Sequence, residues 1–221
     1  KDAMNSIGIQ VTKTIQNMDV FDCQSYRIDL HIVYPRELPL QINAEDGVTS
    51  IEGIGNGLNV NQRKGEIALQ HIKGTIDVTN ASGDVKIQDC SGPVEVSTKY
   101  GALSLERIFG DIQANAEEGS TYLDAPRGNV VIRHKSGDIR VLCLDPIQGN
   151  FDVRVEDGNL SAFIAPDSDA AVNVKATNGI VQSSLSLSGA INRDFQEFFG
   201  RLNAETHTVR LESLNGDIFL N

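Results

Sequence analysis

Glycine recurs at a fixed interval through the middle of this chain, and no other feature limits the fold as tightly. Gly65, Gly74, Gly83, Gly92, Gly101, Gly110, Gly119, Gly128 and Gly137 stand nine residues apart. A short constant period implies stacked, nearly identical units. The second residue after each glycine is apolar except at Thr121: Ile67, Ile76, Val85, Val94, Leu103, Ile112, Val130 and Ile139. The fourth is apolar throughout, from Leu69 to Val141. Between them stand mostly polar residues, among them Asp77, Lys86, Glu95, Ser104, Gln113 and Arg140. In–out–in alternation with β-branched inward positions marks a strand with one buried face.

Two kinds of corner alternate, so the true period is eighteen. Two residues before Gly74, Gly92, Gly110 and Gly128 stand Ile72, Cys90, Ile108 and Pro126; before Gly83, Gly101, Gly119 and Gly137 stand Ala81, Lys99, Glu117 and Lys135. One corner tucks an apolar residue inward and the other faces water. The wet corner continues to Gly158, Gly179 and Gly216. Turn dipeptides such as Asp46-Gly47, Ser82-Gly83 and Asn215-Gly216 tolerate the positive φ of such corners. They also suit the hairpins of an antiparallel sandwich, but a sandwich gives corners no reason to alternate in kind. A left-handed hexapeptide helix should show an apolar mark every six residues, and here the spacing runs two then seven. The expected fold is an all-β β-solenoid, a right-handed β-helix of about nine coils of about eighteen residues, with two main strands per coil.

The ends read differently. Alternation from Tyr26 to Tyr34 predicts one long strand, ended by Pro35 and Pro39. Residues 1–45 form a strand-rich lead-in that caps the first coil. Residues 46–221 form the solenoid, with an insertion at about 184–207. Phe195, Phe198, Phe199 and Leu202 fall at i, i+3, i+4 and i+7, which predicts a short α-helix over 191–202, capped by Asn192 or Asp194. The helix is expected to cover apolar surface at the end of the stack. All 221 residues are read as a single domain.

The turn Ser/Asn-Gly-Asp-Val/Ile stands at 82–85, 136–139 and 215–218, with partial copies at 109–112 and 91–94. With the lead-in Tyr34-Pro35-Arg36-Glu37-Leu38-Pro39-Leu40 before Glu45-Asp46-Gly47, it resembles a widespread adhesin-labelled family of bacterial β-solenoids of unknown function. The resemblance covers roughly 18–221. It implies a cell-envelope or secreted protein and carries no catalytic pattern to this chain. Gly101-Ala102, Gly119-Ser120 and the insertion after Ser183 depart from the cleanest repeats.

Candidate chemistry is sparse. Calcium-binding rolls need Gly-Gly-x-Gly-x-Asp on every turn, whereas the position after the wet-corner glycine reads Glu66, Asp84, Ala102, Ser120, Asp138. Stacking at an eighteen-residue period puts Asp77 over Glu95 and Glu106 over Asp124. Paired carboxyls about 5 Å apart suit a retaining glycosidase, but no aromatic platform is evident beside them and the chain has no Trp. His31, His71, His134 and His207 do not converge with cysteines at ligand spacing. Cys90 and Cys143, three coils apart, are too distant to pair; Cys23 could meet either only if the lead-in folds back. No catalytic, cofactor or metal residue is assigned, and no cofactor is expected.

Thirty acidic against nineteen basic residues, net −11, argue against nucleic acid. No eighteen-residue apolar run predicts membrane insertion. The sequence starts at Lys1, so a removed signal or anchor is expected to lie beyond what can be read. The expected function is a non-enzymatic binding or scaffold module, adhesin-like and monomeric, whose flat faces suit an extended ligand such as a polysaccharide or a surface protein. The alternatives are a structural element polymerising through its ends and a small carbohydrate-active enzyme.

Overall fold

The computed structural model describes residues 31–193 and 195–221, and among them every regular element is a strand. About seven turns follow in chain order. They are β1 (Leu40–Asp46) with β2 (Thr49–Glu52), β3 (Leu58–Lys64) with β4 (Ile67–Gln70), β5 (Ile76–Ser82) with β6 (Val85–Ser91), and β7 (Val94–Tyr100) with β8 (Leu103–Phe109). Then come β9 (Ile112–Glu118) with β10 (Thr121–Asp124), β11 (Val130–Ser136) with β12 (Ile139–Cys143), and β13 (Phe151–Asp157) with β14 (Leu160–Ile164). Among these fourteen strands, odd pair with odd and even with even, all in parallel. The result is a β-solenoid with two facing sheets, one of eleven strands and one of nine.

The register follows the period. Val85 pairs with Leu103 and Ile87 with Leu105, and all four are at most 1% exposed. The inward columns of both sheets meet in one continuous core. Burying a side chain of this size contributes ~1.5–3 kcal/mol, so the stack is held chiefly by these columns. The turn glycines have a second reason beyond φ. A Cβ at Gly65 (φ 118) or Gly137 (φ 132) would collide with the carbonyl oxygen of Gly47 or Gly119, one turn earlier.

Four parallel strands complete the stack out of chain order. β15 (Ala170–Ala176) and β16 (Val181–Ser183) come first in sequence; β19 (His207–Asn215) and β20 (Ile218–Leu220) come last. Yet β19 lies between β13 and β15, and β20 lies between β14 and β16. The coil at Gly216 is therefore interior, not terminal, contrary to the order expected from sequence. A solenoid records only which turn matches which; a turn of the right shape can enter any gap whose walls it fits.

The expected helix over 191–202 is corrected. Its residues belong to an antiparallel hairpin, β17 (Leu187–Ile191) with β18 (Gln196–Leu202), and β18 pairs with the outer edge of β15. The seven-residue apolar spacing is compatible with a strand over so short a run. Gly200 weakens a helix there by about 1 kcal/mol, and β15 offers unpaired backbone groups that a helix would leave unsatisfied. Leu187 and Leu202 pack on the core, but Phe199 is 49% exposed. The hairpin thus covers an edge more than an apolar surface.

Of the strand expected over 26–34, residues 26–30 lie outside the described residues and 31–34 have no regular structure. Tyr34 packs against the core and donates a hydrogen bond to the Pro39 carbonyl at 2.8 Å. The Asp194 and Cys23 readings also lie outside the described residues. Cys90 and Cys143 are buried free thiols.

Candidate functional site

The outward face of the nine-stranded sheet, with the corner that borders it, holds the most varied chemistry of the described residues. Pleating turns alternate residues outward and the parallel register stacks them in columns at ~4.8 Å. One column contains Ser50, Ala68, Lys86, Ser104, Tyr122, Arg140, Ser161 and Phe219; the other contains Glu52, Gln70, Gln88, Glu106, Asp124, Leu142 and Phe163. The face is graded. Small Ser50 and Ala68 leave a depression of about 110 Å³ beside Glu52, Gln70, Lys86 and Gln88. Toward the other end, Tyr122, Leu142, Phe163 and Phe219 bring apolar and aromatic surface around Arg140. This cluster is not visible in sequence without the register, because its aromatic members are 41 and 56 residues apart.

Beside this face runs a column of non-glycine residues in the left-handed region: His71 (φ 54), Asp89 (φ 54), Arg107 (φ 51) and Ala125 (φ 46). Each turns the chain sharply so that the following residue (Ile72, Cys90, Ile108, Pro126) points inward. The charged members bond along the stack. Arg107 Nε and Nη2 donate to the two Asp89 carboxylate oxygens at 2.6 and 2.9 Å. His71 Nδ1 lies 3.4 Å from Glu52. Asp89 lies below the usual carboxylate range, chiefly through the hydrogen bond from Arg107. Further along, the Arg127 guanidinium sits 5.0 Å from the Phe109 ring centre.

The two carboxylate pairs singled out from sequence are in register, Asp77 with Glu95 and Glu106 with Asp124. Their surroundings do not favour acid catalysis. Asp77 accepts a hydrogen bond from Asn59 Nδ2 at 3.0 Å. Burial pushes the Glu106 carboxyl up, but hydrogen bonds from Lys86 (3.0 Å) and Ser104 (2.9 Å) and the charge of Arg107 outweigh it. The net shift is downward, whereas a glycosidase general acid needs a raised value.

The turn aspartates have a different task from the one considered. Asp84 Oδ1 accepts from Ala102 N at 2.8 Å, and Asp138 Oδ1 from Asn159 N at 2.8 Å. Asn159 Oδ1 then accepts from Asp217 N, and Asp217 Oδ1 from Ile180 N, both at 2.9 Å. At the opposite corner Asp111, Asn129 and Asn150 make the same bond to the next turn. The residue after the turn glycine thus staples one coil to the next through one side-chain oxygen. Among the described residues no three potential ligands converge on a metal position.

Inside the corner read as wet, a column of buried polar side chains serves inward-facing turn carbonyls. Gln62 donates to Gly47, Asn80 to Gly65 and Gly83, and Ser213 to Gly158, at 3.0–3.1 Å. His134, 3% exposed, places Nε2 3.0 Å from the Ser136 carbonyl and Nδ1 3.0 Å from Thr121 Oγ1. A carbonyl only accepts, so Nε2 carries the proton and Nδ1 accepts from Thr121. Burial holds the imidazole below its ordinary value, against the pull of Ser136, Gly119 and Asp138. The available signal in sequence is a polar residue at an inward parity three places before the glycine.

A family model described as Toastrack DUF4097 matches residues 40–221. No curated protein and no solved structure matches the chain.

Proposed function

The chain belongs to the Toastrack DUF4097 family, a domain of unknown function, and on that premise we propose that it is a non-enzymatic binding module holding an extended polysaccharide. The outward face of the nine-stranded sheet is the binding surface. One observation carries this reading: on that face, hydrogen-bonding groups at fixed pitch (Gln70, Gln88, Lys86, Ser104) run into an aromatic patch of Tyr122, Phe163 and Phe219. Rings offer apolar faces to sugar rings while amides and hydroxyls meet sugar hydroxyls. The lowered Glu106 supports binding without cleavage. A right-handed coil fits the same reading, since parallel crossovers take that hand. An envelope or exterior location, and an adhesive role there, are supported by the resemblance of the turn motif.

The reading is tested on a glycan array with the wild-type chain, Tyr122→Ala/Phe163→Ala, and Thr79→Ala on the eleven-stranded sheet as a control. Wild type and control should bind the same extended glycans, with at least tenfold weaker binding by the double variant. Equal binding by all three overturns the assignment of the face. A second reading, assembly end to end, draws on β17, whose outer edge has no partner strand among the described residues and whose Ile191 is 71% exposed. Concentration-dependent filaments in light scattering would favour it.

A further inference from the structure

Strand β19 begins where β18 has just ended, but on the other side of β15. Leu202 at the end of β18 and His207 at the start of β19 both stand opposite Ala170, one on each flank. Residues 203–206 therefore carry the chain over the end of β15, across two strand spacings of ~4.8 Å. This link is exposed, and Asn203 takes φ 48. Asn203 Nδ2 donates to the Pro166 and Ser168 carbonyls at 3.1 and 2.9 Å, and Ala204 N donates to Asp169 Oδ1 at 3.2 Å.

The segment that fills the gap matches it at every level. β19 and β20 are paired in parallel on both flanks. Val209, Leu211, Ile218 and Leu220 continue the inward columns at no more than 1% exposure. Thr208 N donates to Asn150 Oδ1 and Asp217 N to Asn159 Oδ1, both at 2.9 Å. Asn215 bonds Asp157 on one side and Asn178 on the other, each at 2.7 Å. On the outer face, Arg154 reaches Glu212 at 3.5 Å.

Both walls of the gap precede the segment in sequence. They recognise its backbone and side chains, not the molecule that carries it. A short hinge link favours the exchange of an element between copies. We propose that the slot between β13–β14 and β15–β16 is a strand-accepting site whose ligand is residues 207–221, supplied by the same chain or by a second copy. The inference is independent of the glycan-binding reading.

The test uses the full chain with a protease recognition sequence inserted between Glu205 and Thr206. The folded protein is cleaved and given an excess of fluorescent peptide 207–221. One labelled peptide per chain should be incorporated, with at least tenfold less incorporation when the peptide carries Leu211→Asp. Failure to take up the peptide overturns the proposal, whether the cleaved chain stays folded or unfolds, as does equal uptake of the Leu211→Asp peptide. The uncut chain, concentrated and held near its melting transition, should yield a dimer that excess peptide returns to monomer. A chain that stays monomeric there, or a dimer indifferent to the peptide, overturns supply by a second copy.

Discussion

Ala125 holds a backbone conformation that its side chain opposes. At φ 46 it continues the column begun by His71, Asp89 and Arg107, but it lacks the polar side chain through which Asp89 and Arg107 bond along the stack. Left-handed backbone costs an L-residue roughly 1–2 kcal/mol, and glycine's extra unfolded-state entropy returns part of that. Ala125→Gly should therefore stabilise the chain by roughly 0.5–1 kcal/mol, read as a higher Tm with unchanged circular dichroism. Buried His134 gives the opposite kind of handle. Its folded value lies below the ordinary 6.5 because burial disfavours the charged ring. The unfolded chain then binds the proton first, so the contribution of His134 is complete above pH 6.5 and is lost as the pH falls below it. Thermal melts between pH 7.5 and 5 should show wild type losing stability more steeply than His134→Gln; parallel curves would mean that the buried ring does not control the acid limb.

Strands were legible because one face of each is buried, which writes a period of two into the sequence, and their pairing was legible because the coil length writes a period of eighteen. Ile87 beside Leu105 follows directly from these two numbers. The β17–β18 hairpin was not legible. Phe195, Phe198, Phe199 and Leu202 satisfy a helical stripe, and the open edge of β15, with Gly200 weakening a helix, decides for a strand. The position of the Gly216 coil was not legible either, since Gly158, Gly179 and Gly216 share one turn chemistry and spacing does not state stacking order. The corner residues escaped for a related reason: a left-handed φ is advertised by glycine, and here His71, Asp89, Arg107 and Ala125 adopt it. The outward aromatic positions needed the register, because Tyr122, Phe163 and Phe219 come to one end of the same face only after the coils are stacked.

At the scale of the whole molecule, the fold is a stack of coils that repeats a surface. Nine strands of the smaller sheet span ~38 Å at ~4.8 Å each. Core columns and turn staples fix that pitch independently of the outward residues, so the outward columns are free to carry recognition. The asymmetry between the faces is chemical. The eleven-stranded sheet joins outer charges in the Arg133–Asp152–Arg154–Glu212–Arg210 network; on the nine-stranded sheet Lys86 pairs with Glu106 at 3.0 Å, while Arg140 and Phe163 face outward. A ligand held along such a face gains contacts with length. The decisive measurement is calorimetric titration of an oligosaccharide series, from two sugars upward, of the polysaccharide selected on the array. Affinity should rise with each added sugar until the ligand spans the face, with no shortened product in the cell afterwards. Affinity independent of length, or cleavage of the longer members, would contradict it.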